Sequence, residues 1–528
     1  MPNTNNSEQN MQETEEQAAF PAAVQPVIIH WPHDIEVQLF STENNDMQET
    51  RHSTAEQIVN SAQSLTFHFD LTESRDVVLN LTAVSDSHWQ RENRESTALR
   101  IYVNGEYNQD LILFYGDRAF MYQRLLGQLE AGTYEVTLHY ALELSRPLAG
   151  DITIQHIAIG GVDPRMPVYR YTPVVYGRQL QHPYESTFTD TPLVLMYWMK
   201  EEADRTIIEY HMVFSHEDEG TPSGLLMSKW GRTTDIEWMY RVELDPEGNL
   251  LRHSYQGPHH IETEFKGEYG CGGHPVLQAA TANGNFTDTP VSDYCYMLPP
   301  LYRWDPESEP REQVMLVYPF THQVSNWEMN RQYTLEQPAR TDSWQLADQR
   351  GYLFISSTKY AVEHSTNAEP NQLDERVHRS SMEKSMQLQQ TCIDYQVRLH
   401  GEEEWLSSSY GDMRIGDFRA AYQGPYHQFS TTIKLGEQVQ LEHIAAIRAV
   451  LLPGGLDRIV VEGVYAYMLN DQYLPQEGIR STARIELSTN SPSGLLWTCA
   501  ENELHQPSPR DIAQQGDVPG GSKENIHL

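Results

Sequence analysis

Apolar residues alternate with polar ones along much of the chain, and this alternation limits the folds open to it. Leu65, Phe67 and Phe69 are separated by polar residues, as are the apolar residues of 134–144 and 152–154. Successive side chains of a β-strand point to opposite faces, so this pattern buries one face of a sheet and exposes the other to water. Antiparallel sandwiches are built in this way. The sequence therefore predicts an all-β, multi-domain protein made of antiparallel β-sandwich modules.

Turn-forming strings lie between the predicted strands. Asn104-Gly105 suits a type I′ hairpin turn, which requires a positive φ at both central residues. Asp245-Pro246-Glu247-Gly248-Asn249 and Pro453-Gly454-Gly455 separate further pairs of apolar runs. Helical spacing is found at residues 373–392 and, as one short turn, at 225–230. This spacing of strands and turns favours sandwiches over βαβ units.

The length of 528 residues predicts several domains, because one domain takes roughly 150 residues. The polar ends of the chain, 1–25 and 506–528, are expected to be disordered. The acidic stretch at 305–310 is either an exposed linker or a loop inside the central domain. We place an N-terminal β-sandwich at 26–163, a central β-rich domain at 164–340 and a C-terminal β-rich domain at 341–505.

The net charge of −37, from 37 basic and 74 acidic residues, excludes several classes of function. Nucleic acids and anionic membranes are bound by clustered Lys and Arg, so we expect no nucleic-acid partner and no docking on such membranes. No run approaches the roughly 18 apolar residues that span a bilayer, and the first residues lack the apolar core of a signal peptide. The cytoplasm is then the default location, although the composition fits an extracellular protein equally well. These patterns do not set the oligomeric state.

The string Trp-Gly-Arg-Thr-Thr-Asp-Ile-Glu-Trp at 230–238 carries the candidate catalytic residues. Asp235 and Glu237 share one face of a predicted strand at a spacing of about 6–7 Å, which suits a division of acid and base work in a hydrolase. The string resembles half of the Glu-x-Asp-x-Glu motif of laminarinase-like retaining glycosidases. Thr233 stands where that family has its nucleophilic glutamate, so a covalent intermediate has no evident donor here. The alternative is a solvated strand face whose carboxylates pair with nearby arginines.

Histidines in the same segment form a candidate metal site. Neutral imidazoles and a carboxylate are ligands for zinc, manganese or iron. A divalent metal ion is thus the cofactor to consider, and it would assist the hydrolase. No HxH or HExxH spacing is present, and surface or loop histidines are the alternative, because 22 histidines make some clustering expected. The candidate ligands are His259, His260 and His274, with His211, His216, Glu217, Asp218 and Asp288 as more distant members.

Cysteines give little support to redox or nucleophilic chemistry. Four of them, at 271, 295, 392 and 499, match no zinc pattern and are too few for a disulfide scaffold. Cys271 and Cys295 are close enough in sequence to form a bridge, but two reduced, buried thiols are the favoured interpretation. Cys271 with His274 as its base is disfavoured, because the two glycines between them orient neither side chain.

Three strings follow one another in the central segment: Thr-Thr-Asp-Ile-Glu-Trp at 233–238, Tyr-Gln-Gly-Pro-His-His at 255–260 and His-Pro-Val-Leu-Gln-Ala-Ala-Thr-Ala-Asn-Gly at 274–284. In this order they resemble the plant and microbial vacuolar-protein-sorting-like β family. That family has Gly-Asp-Trp-Glu where this chain has Asp-Ile-Glu-Trp, and Gly-Ser-His where it has Asn-Gly-Asn. The resemblance covers at most residues 170–300. It implies a β-rich fold and no catalytic roles, because the family has no settled activity.

Ten Trp and 29 Tyr are the last feature that points to a function. Exposed rings can serve as platforms for sugars, because the C–H face of a pyranose packs on an aromatic surface; the alternative is ordinary core packing. The first hypothesis is therefore a carbohydrate-associated binding or surface protein with a glycan as its partner. The alternatives are a glycan or ester hydrolase in the central domain and a structural or assembly protein. The tryptophans beside polar groups are Trp31, Trp89, Trp198, Trp304, Trp327 and Trp405.

Overall fold

The computed structural model describes residues 35–36, 51–52, 56–163, 166–179, 191–217, 221–282, 284–361, 393–412, 427–452 and 458–499. Several predictions lie outside the described residues. They are the disordered ends at 1–25 and 506–528, the helix at 373–392, the turn at 453–455, the candidate metal ligand Asp218 and the candidate sugar platform Trp31.

The N-terminal strands build two four-stranded antiparallel sheets, ordered β3-β10-β5-β8 and β4-β9-β6-β7, and a separate pair β1-β2. The alternation predicted along β4 is confirmed, since Phe67 and Phe69 are buried opposite Val136 and Tyr134 of β9. The strands are β1 (Ile35–Glu36), β2 (Arg51–His52), β3 (Gln57–Val59), β4 (Leu65–Leu71), β5 (Arg75–Ser85), β6 (Ala98–Val103), β7 (Glu106–Ile112), β8 (Phe120–Leu129), β9 (Gly132–Tyr140) and β10 (Ile152–Gly161).

The central strands form a six-stranded sheet, β16-β15-β14-β13-β12-β21, and a five-stranded sheet in which β17-β18-β11-β20 are joined by β19 on β18. Most pairs are antiparallel, but β11 with β18 and β12 with β21 are parallel. The strands are β11 (Val174–Tyr176), β12 (Pro192–Glu201), β13 (Thr206–Phe214), β14 (Asp235–Leu244), β15 (Leu250–Gly257), β16 (Ile261–Glu264), β17 (Tyr269–Gly270), β18 (His274–Ala279), β19 (Phe286–Thr287), β20 (Cys295–Tyr296) and β21 (Pro300–Arg303).

Among the residues that the structure describes, four short helices accompany the central sheets. They are α1 (Pro167–Arg170), α2 (Ser223–Trp230), α3 (Gln313–Val317) and α4 (Phe320–Gln332). The helical turn predicted at 225–230 is confirmed as part of α2, which ends where Gly231 adopts a left-handed φ of 69°. Within the described ranges, no helix has the length and apolarity to cross a membrane.

The C-terminal strands form two four-stranded antiparallel sheets, β25-β22-β27-β28 and β24-β23-β26-β29. The apolar runs on either side of the predicted turn at 453–455 form β26 and β27, which belong to different sheets and do not pair with each other. The strands are β22 (Tyr352–Ala361), β23 (Ile393–Leu399), β24 (Trp405–Ser407), β25 (Gln428–Lys434), β26 (Ile444–Leu451), β27 (Arg458–Tyr467), β28 (Ile479–Ser488) and β29 (Ser493–Thr498).

The apolar cores do not follow the three sets of sheets one for one. A single buried cluster runs from Val59 in the N-terminal sheets to Val324 in α4. A second cluster lies between the two C-terminal sheets, and a third joins α2 and α4 to β22 through Met227, Met329 and Phe354. The fold class predicted from alternation, several antiparallel sandwich-like sheets, is confirmed. The predicted domain boundaries stay predictions.

Candidate functional site

Asp235 and Glu237 lie at the start of β14, in the middle of the six-stranded sheet. The antiparallel register sets Asp235 opposite Phe214 and Glu237 opposite Met212. Both side chains flank the backbone of Gly284, where a Cβ atom would collide with Asp235 Oδ2 and lie 2.8 Å from Glu237 Cγ. Asp235 is only 3% exposed, whereas the Glu237 side chain is 14% exposed. The carboxylates are therefore adjacent, but Gly284 covers Asp235 and leaves access mainly to Glu237.

Polar groups from two further segments meet Glu237. Gln256 Nε2 on β15 donates a hydrogen bond to Glu237 Oε2, and His260 Nδ1 lies 3.8 Å from the same oxygen. The His260 backbone N–H donates to Asn285 Oδ1 at 3.2 Å. Asp235, Glu237, Gln256, His260 and Gly284 are hereafter the Glu237 cluster. Three of the five residues predicted for catalysis or metal binding thus come together.

Cationic side chains lie next to this cluster. Arg311 Nη1 donates to the backbone oxygen of Ile236, between the two acids, at 2.8 Å. The Lys229 Nζ atom lies 4.6 Å from the Trp230 ring centroid and donates to Thr221 Oγ1 at 2.7 Å. Burial lowers the pKa of Lys229 to about 8. The Glu237 cluster is therefore a mixed-charge region and not an isolated acid pair.

The three predicted metal ligands are not gathered into one site. His274 is fully buried, with Nδ1 at 2.9 Å from Thr172 O and Nε2 at 2.8 Å from Asp76 Oδ1. His259 and His260 are exposed at the edge of the six-stranded sheet, both with a positive φ. Among the residues that the structure describes, no group of three or more His, Cys, Asp or Glu side chains is arranged to hold a metal ion. His274 instead joins the central strand β18 to the N-terminal strand β5.

Two thiols lie at the junction between the N-terminal and central sheets. Cys271 and Cys295 are free, and both contact Asn108 of β7. Burial raises the pKa of Cys271 to about 11 and that of Cys295 to about 12, so both are protonated at neutral pH. Because His274 Nε2 lies against Asp76, Cys271 has no basic partner there, and neither thiol is prepared for nucleophilic attack.

The tryptophans differ sharply in exposure. Trp31 lies outside the described residues, and Trp89 and Trp304 are buried. Trp198 is half-buried and donates its Nε1 hydrogen to Glu209 Oε1 at 2.8 Å, and Trp327 is half-buried near Tyr115. Trp405 is half-buried on β24, at the edge of a C-terminal sheet. Trp405 is in contact with long polar side chains from the neighbouring strands of its sheet.

The side chains around Trp405 come from three adjacent strands. Cross-strand pairing sets Arg398 of β23 opposite Trp405, and Gln396 opposite Arg448 of β26. The guanidinium carbon of Arg448 lies 3.9 Å from the centroid of the Trp405 ring, and that of Arg398 lies 5.4 Å away. Asp394, Gln396, Arg398, Trp405 and Arg448 are hereafter the Trp405 face. Residues two apart in β23 supply three of its members, as strand geometry requires.

A chain of hydrogen bonds fixes the Trp405 face. Arg448 Nε and Nη2 donate to Gln396 Oε1 at 2.8 and 2.6 Å, and Gln396 Nε2 donates to Asp394 Oδ2 at 2.9 Å. Asp394 is 3% exposed and also accepts hydrogen bonds from the hydroxyls of Ser407, Ser408 and Ser409. This order reduces the entropy that the face would lose on binding a ligand.

Sequence reasoning identified Trp405 but missed its polar partners. The signal for three of these four was present, because Asp394, Gln396 and Arg398 alternate with apolar residues along 393–399. Arg448 carries no such signal, since it joins the face only through the pairing of β23 with β26. A long-range strand pairing cannot be predicted from local alternation.

Comparisons with solved structures find partial alignments with glycan-related proteins. No protein-family model and no curated protein sequence matches the chain. The CBM36-1 domain of a multidomain xylanase from the hindgut metagenome of Trinervitermes trinervoides aligns over 25% of this chain and 92% of its own, with 10% identity and a TM-score of 0.17. The C-terminal domain of the sugar-binding protein EclA aligns over 27% and 89%, with 13% identity and a TM-score of 0.15.

A third structure is of the same kind. The GH26-CBM35 beta-(1,4)-mannanase of Podospora anserina aligns over 28% of this chain and 35% of its own, with 12% identity and a TM-score of 0.15. TM-scores of 0.15 and 0.17 are too low to establish a shared fold. Each alignment covers only about a quarter of this chain, so the chain's own geometry has to carry any assignment of function.

Proposed function

We propose that the protein binds carbohydrate and that the Trp405 face is the binding site. The observation that carries the proposal is the half-buried indole of Trp405 among pre-positioned polar side chains on a sheet face. A sugar ring has apolar C–H faces and a rim of hydroxyls, so it needs an aromatic surface and hydrogen-bonding groups at the same place. Trp405 supplies the surface, Gln396 and Arg398 supply an amide and a guanidinium group beside it, and the Arg448 guanidinium lies over its ring.

The test is a glycan-array screen of the full chain, followed by calorimetry with the best ligand. Trp405→Ala should weaken binding at least tenfold, about 1.4 kcal/mol, because the sugar loses its packing surface. Trp344→Ala is the matched control, since Trp344 is 51% exposed and lies against Gly224 of α2. Trp405→Phe keeps an aromatic ring and should retain part of the affinity. The proposal fails if wild-type protein binds no glycan, or if Trp405→Ala and Trp344→Ala behave alike.

A hydrolase with its site at the Glu237 cluster is the second candidate. The adjacency of Asp235 and Glu237, with His260 Nδ1 at 3.8 Å from Glu237, favours it. The burial of Asp235 beneath Gly284 argues against it, because a general acid or base must reach the substrate. Reducing-sugar and ester-release assays test it: Glu237→Gln should abolish turnover, and Glu264→Gln, a change at an exposed residue of β16, should not.

The family resemblance and a structural role are further proposals. Membership of residues 170–300 in the vacuolar-protein-sorting-like β family has no support beyond the three strings themselves. A structural or assembly role would require a partner surface, and no contact described in this chain favours it over glycan binding. Glycan binding therefore remains the function with the most direct geometric support.

A further inference from the structure

We infer that the ligand of the Trp405 face is an acidic sugar, an oligosaccharide whose residues carry carboxylate groups. This inference rests on the proposed function, because it names the class of glycan that the same site would take. Its basis is the pair of guanidinium groups of Arg398 and Arg448, which lie over one indole ring at 5.4 and 3.9 Å from its centroid.

These two arginines differ from other arginines of the same sandwich, which form ion pairs with glutamates. On the other sheet of the same sandwich, Arg458 pairs with Glu486, and Arg484 pairs with Glu462. Arg398 contacts the Trp405 ring, and Arg448 contacts that ring and Gln396. In the part of the chain that the structure describes, no carboxylate lies within ion-pair distance, 4 Å, of either guanidinium. Two such groups on one face are notable in a chain with 74 acidic and 37 basic residues.

Asp394, the acid that belongs to this face, does not neutralise it at its surface. Asp394 is buried, and its two oxygens already accept hydrogen bonds from Gln396 and from three serine hydroxyls. Its main effect on the site is therefore indirect, because it orients Gln396, which in turn orients Arg448. The exposed groups of the Trp405 face are cationic or neutral.

Guanidinium geometry matches a carboxylate. The planar fork of Arg binds the two oxygens of a carboxylate through parallel hydrogen bonds, which are stronger than bonds to neutral hydroxyls. Arg448 uses Nε and Nη2 for Gln396 and has Nη1 left, and Arg398 on the adjacent strand is exposed. A uronate bound against Trp405 would bring its carboxylate to these two groups.

The experiment compares two ligands that differ only in the carboxylate. Calorimetry with the full chain would use a uronate oligosaccharide and its carboxyl-reduced, neutral counterpart of equal length and linkage. We expect the uronate form to bind at least tenfold more tightly. Arg398→Gln and Arg448→Gln should each reduce that preference severalfold, and the double variant should abolish it. Arg480→Gln is the matched control, because Arg480 lies 4.0 Å from the Tyr465 ring on the other sheet of the sandwich.

The outcomes separate this inference from the proposed function. If the uronate and its neutral counterpart bind equally and Trp405→Ala binds neither, the preference for an acidic sugar is overturned and glycan binding stands. No binding of either ligand, together with an empty glycan array, would overturn both. Binding of a poly-glutamate peptide as tightly as the uronate would overturn the sugar specificity, because charge alone would then explain recognition. Circular dichroism melting of each arginine variant verifies that it is folded.

Discussion

At the residue scale, Gly284 shows how closely the Glu237 cluster is packed. Gly284 has a φ of +60°, and a Cβ atom there would collide with Asp235 Oδ2 and lie 2.8 Å from Glu237 Cγ. Gly284→Ala should therefore lower the free energy of unfolding by about 1–2 kcal/mol for the left-handed backbone and by roughly 1–3 kcal/mol more for the collision. Urea denaturation followed by tryptophan fluorescence measures the change.

Gly248 provides the control for that substitution. It has a φ of +85° in the turn between β14 and β15, but nothing lies within 4 Å of the position of its Cβ. Gly248→Ala should thus carry the backbone cost alone. If both variants lose the same stability, the close approach of Gly284 to the two carboxylates does not exist in solution.

His274 is a second residue whose surroundings give a prediction. Because its two nitrogens meet Thr172 O and Asp76 Oδ1 in a buried position, His274→Ala should cost about 2–4 kcal/mol of unfolding free energy. His68→Ala, at an exposed histidine that faces Glu135, should change it little. Chelator treatment of wild-type protein should leave the melting temperature unchanged. If chelator lowers the melting temperature of wild-type protein but not that of His274→Ala, then His274 is a metal ligand.

These residues mark how far local sequence could predict the site. Asp235 and Glu237 are two apart on a strand, so their shared side follows from alternation alone. The partner of His274, Asp76, lies 198 positions away in the chain, and Arg448 lies 52 positions from Gln396. Contacts of that length depend on how the sheets stack, which no local pattern records. The sequence thus predicted which side chains are adjacent on one strand and missed those brought together across strands.

At the scale of elements, α4 carries a buried histidine that links it to the C-terminal sheets. His322 is 1% exposed, contacts the Phe354 ring edge-on and lies with Nε2 3.2 Å from Tyr467 Oη. Burial lowers the pKa of His322 from its usual 6.5 to about 3. Above pH 6.5 the ring is neutral in both states and adds nothing to the pH dependence. Between pH 6.5 and 3 only the unfolded chain takes up the proton, so stability falls as the pH is lowered.

The prediction is a difference in pH slope between two proteins. Relative to pH 7, wild-type protein should lose about 3–5 kcal/mol at pH 3–4 through His322 alone. His322→Gln keeps a polar group near Tyr467, but glutamine does not titrate. The variant should therefore not show this loss of unfolding free energy at low pH. The measurement is the urea-unfolding free energy of both proteins at intervals between pH 4 and 7. Parallel curves for the two proteins would show that His322 is accessible to protons in the folded state.

The sequence predicted some turns and strands correctly but missed how strands pair and where one helix lies. The turn at Asn104 and Gly105 has φ values of 51° and 81° and joins β6 to β7, so a local turn signal sufficed there. The apolar runs of β26 and β27 were equally clear, yet these strands belong to separate sheets. Helix α4 was missed because it has no apolar stripe: it buries Thr321, His322, Gln323 and Asn326 along with Val324. Its buried side chains contact both polar groups and apolar cores of other segments, so periodicity gives no sign of it.

At the scale of the whole molecule, the N-terminal and central sheets share one core across the predicted boundary at 163. Buried Gln109 of β7 connects them, because its Nε2 donates to Leu125 O at 2.7 Å and its Oε1 accepts from Met297 N at 2.9 Å. Leu125 N also donates to Met297 O at 2.9 Å. A shared core and shared backbone hydrogen bonds should make the two parts unfold as one cooperative unit.

Hydrogen exchange under native conditions tests this cooperativity. The slowest amides of β5 and β8 in the N-terminal sheets should exchange with the same opening free energy as those of β13 and β14 in the central sheet. Gln109→Leu should lower both values together by about 2–4 kcal/mol, since it leaves buried backbone groups without partners. Gln123→Leu, which removes a hydrogen bond confined to the N-terminal sheets, should cost less. The contrary result is that the two sets of amides have different opening free energies in wild-type protein and that Gln109→Leu affects only the N-terminal set. Residue 163 would then divide two independent folding units, and their common core would contribute little to the stability of either.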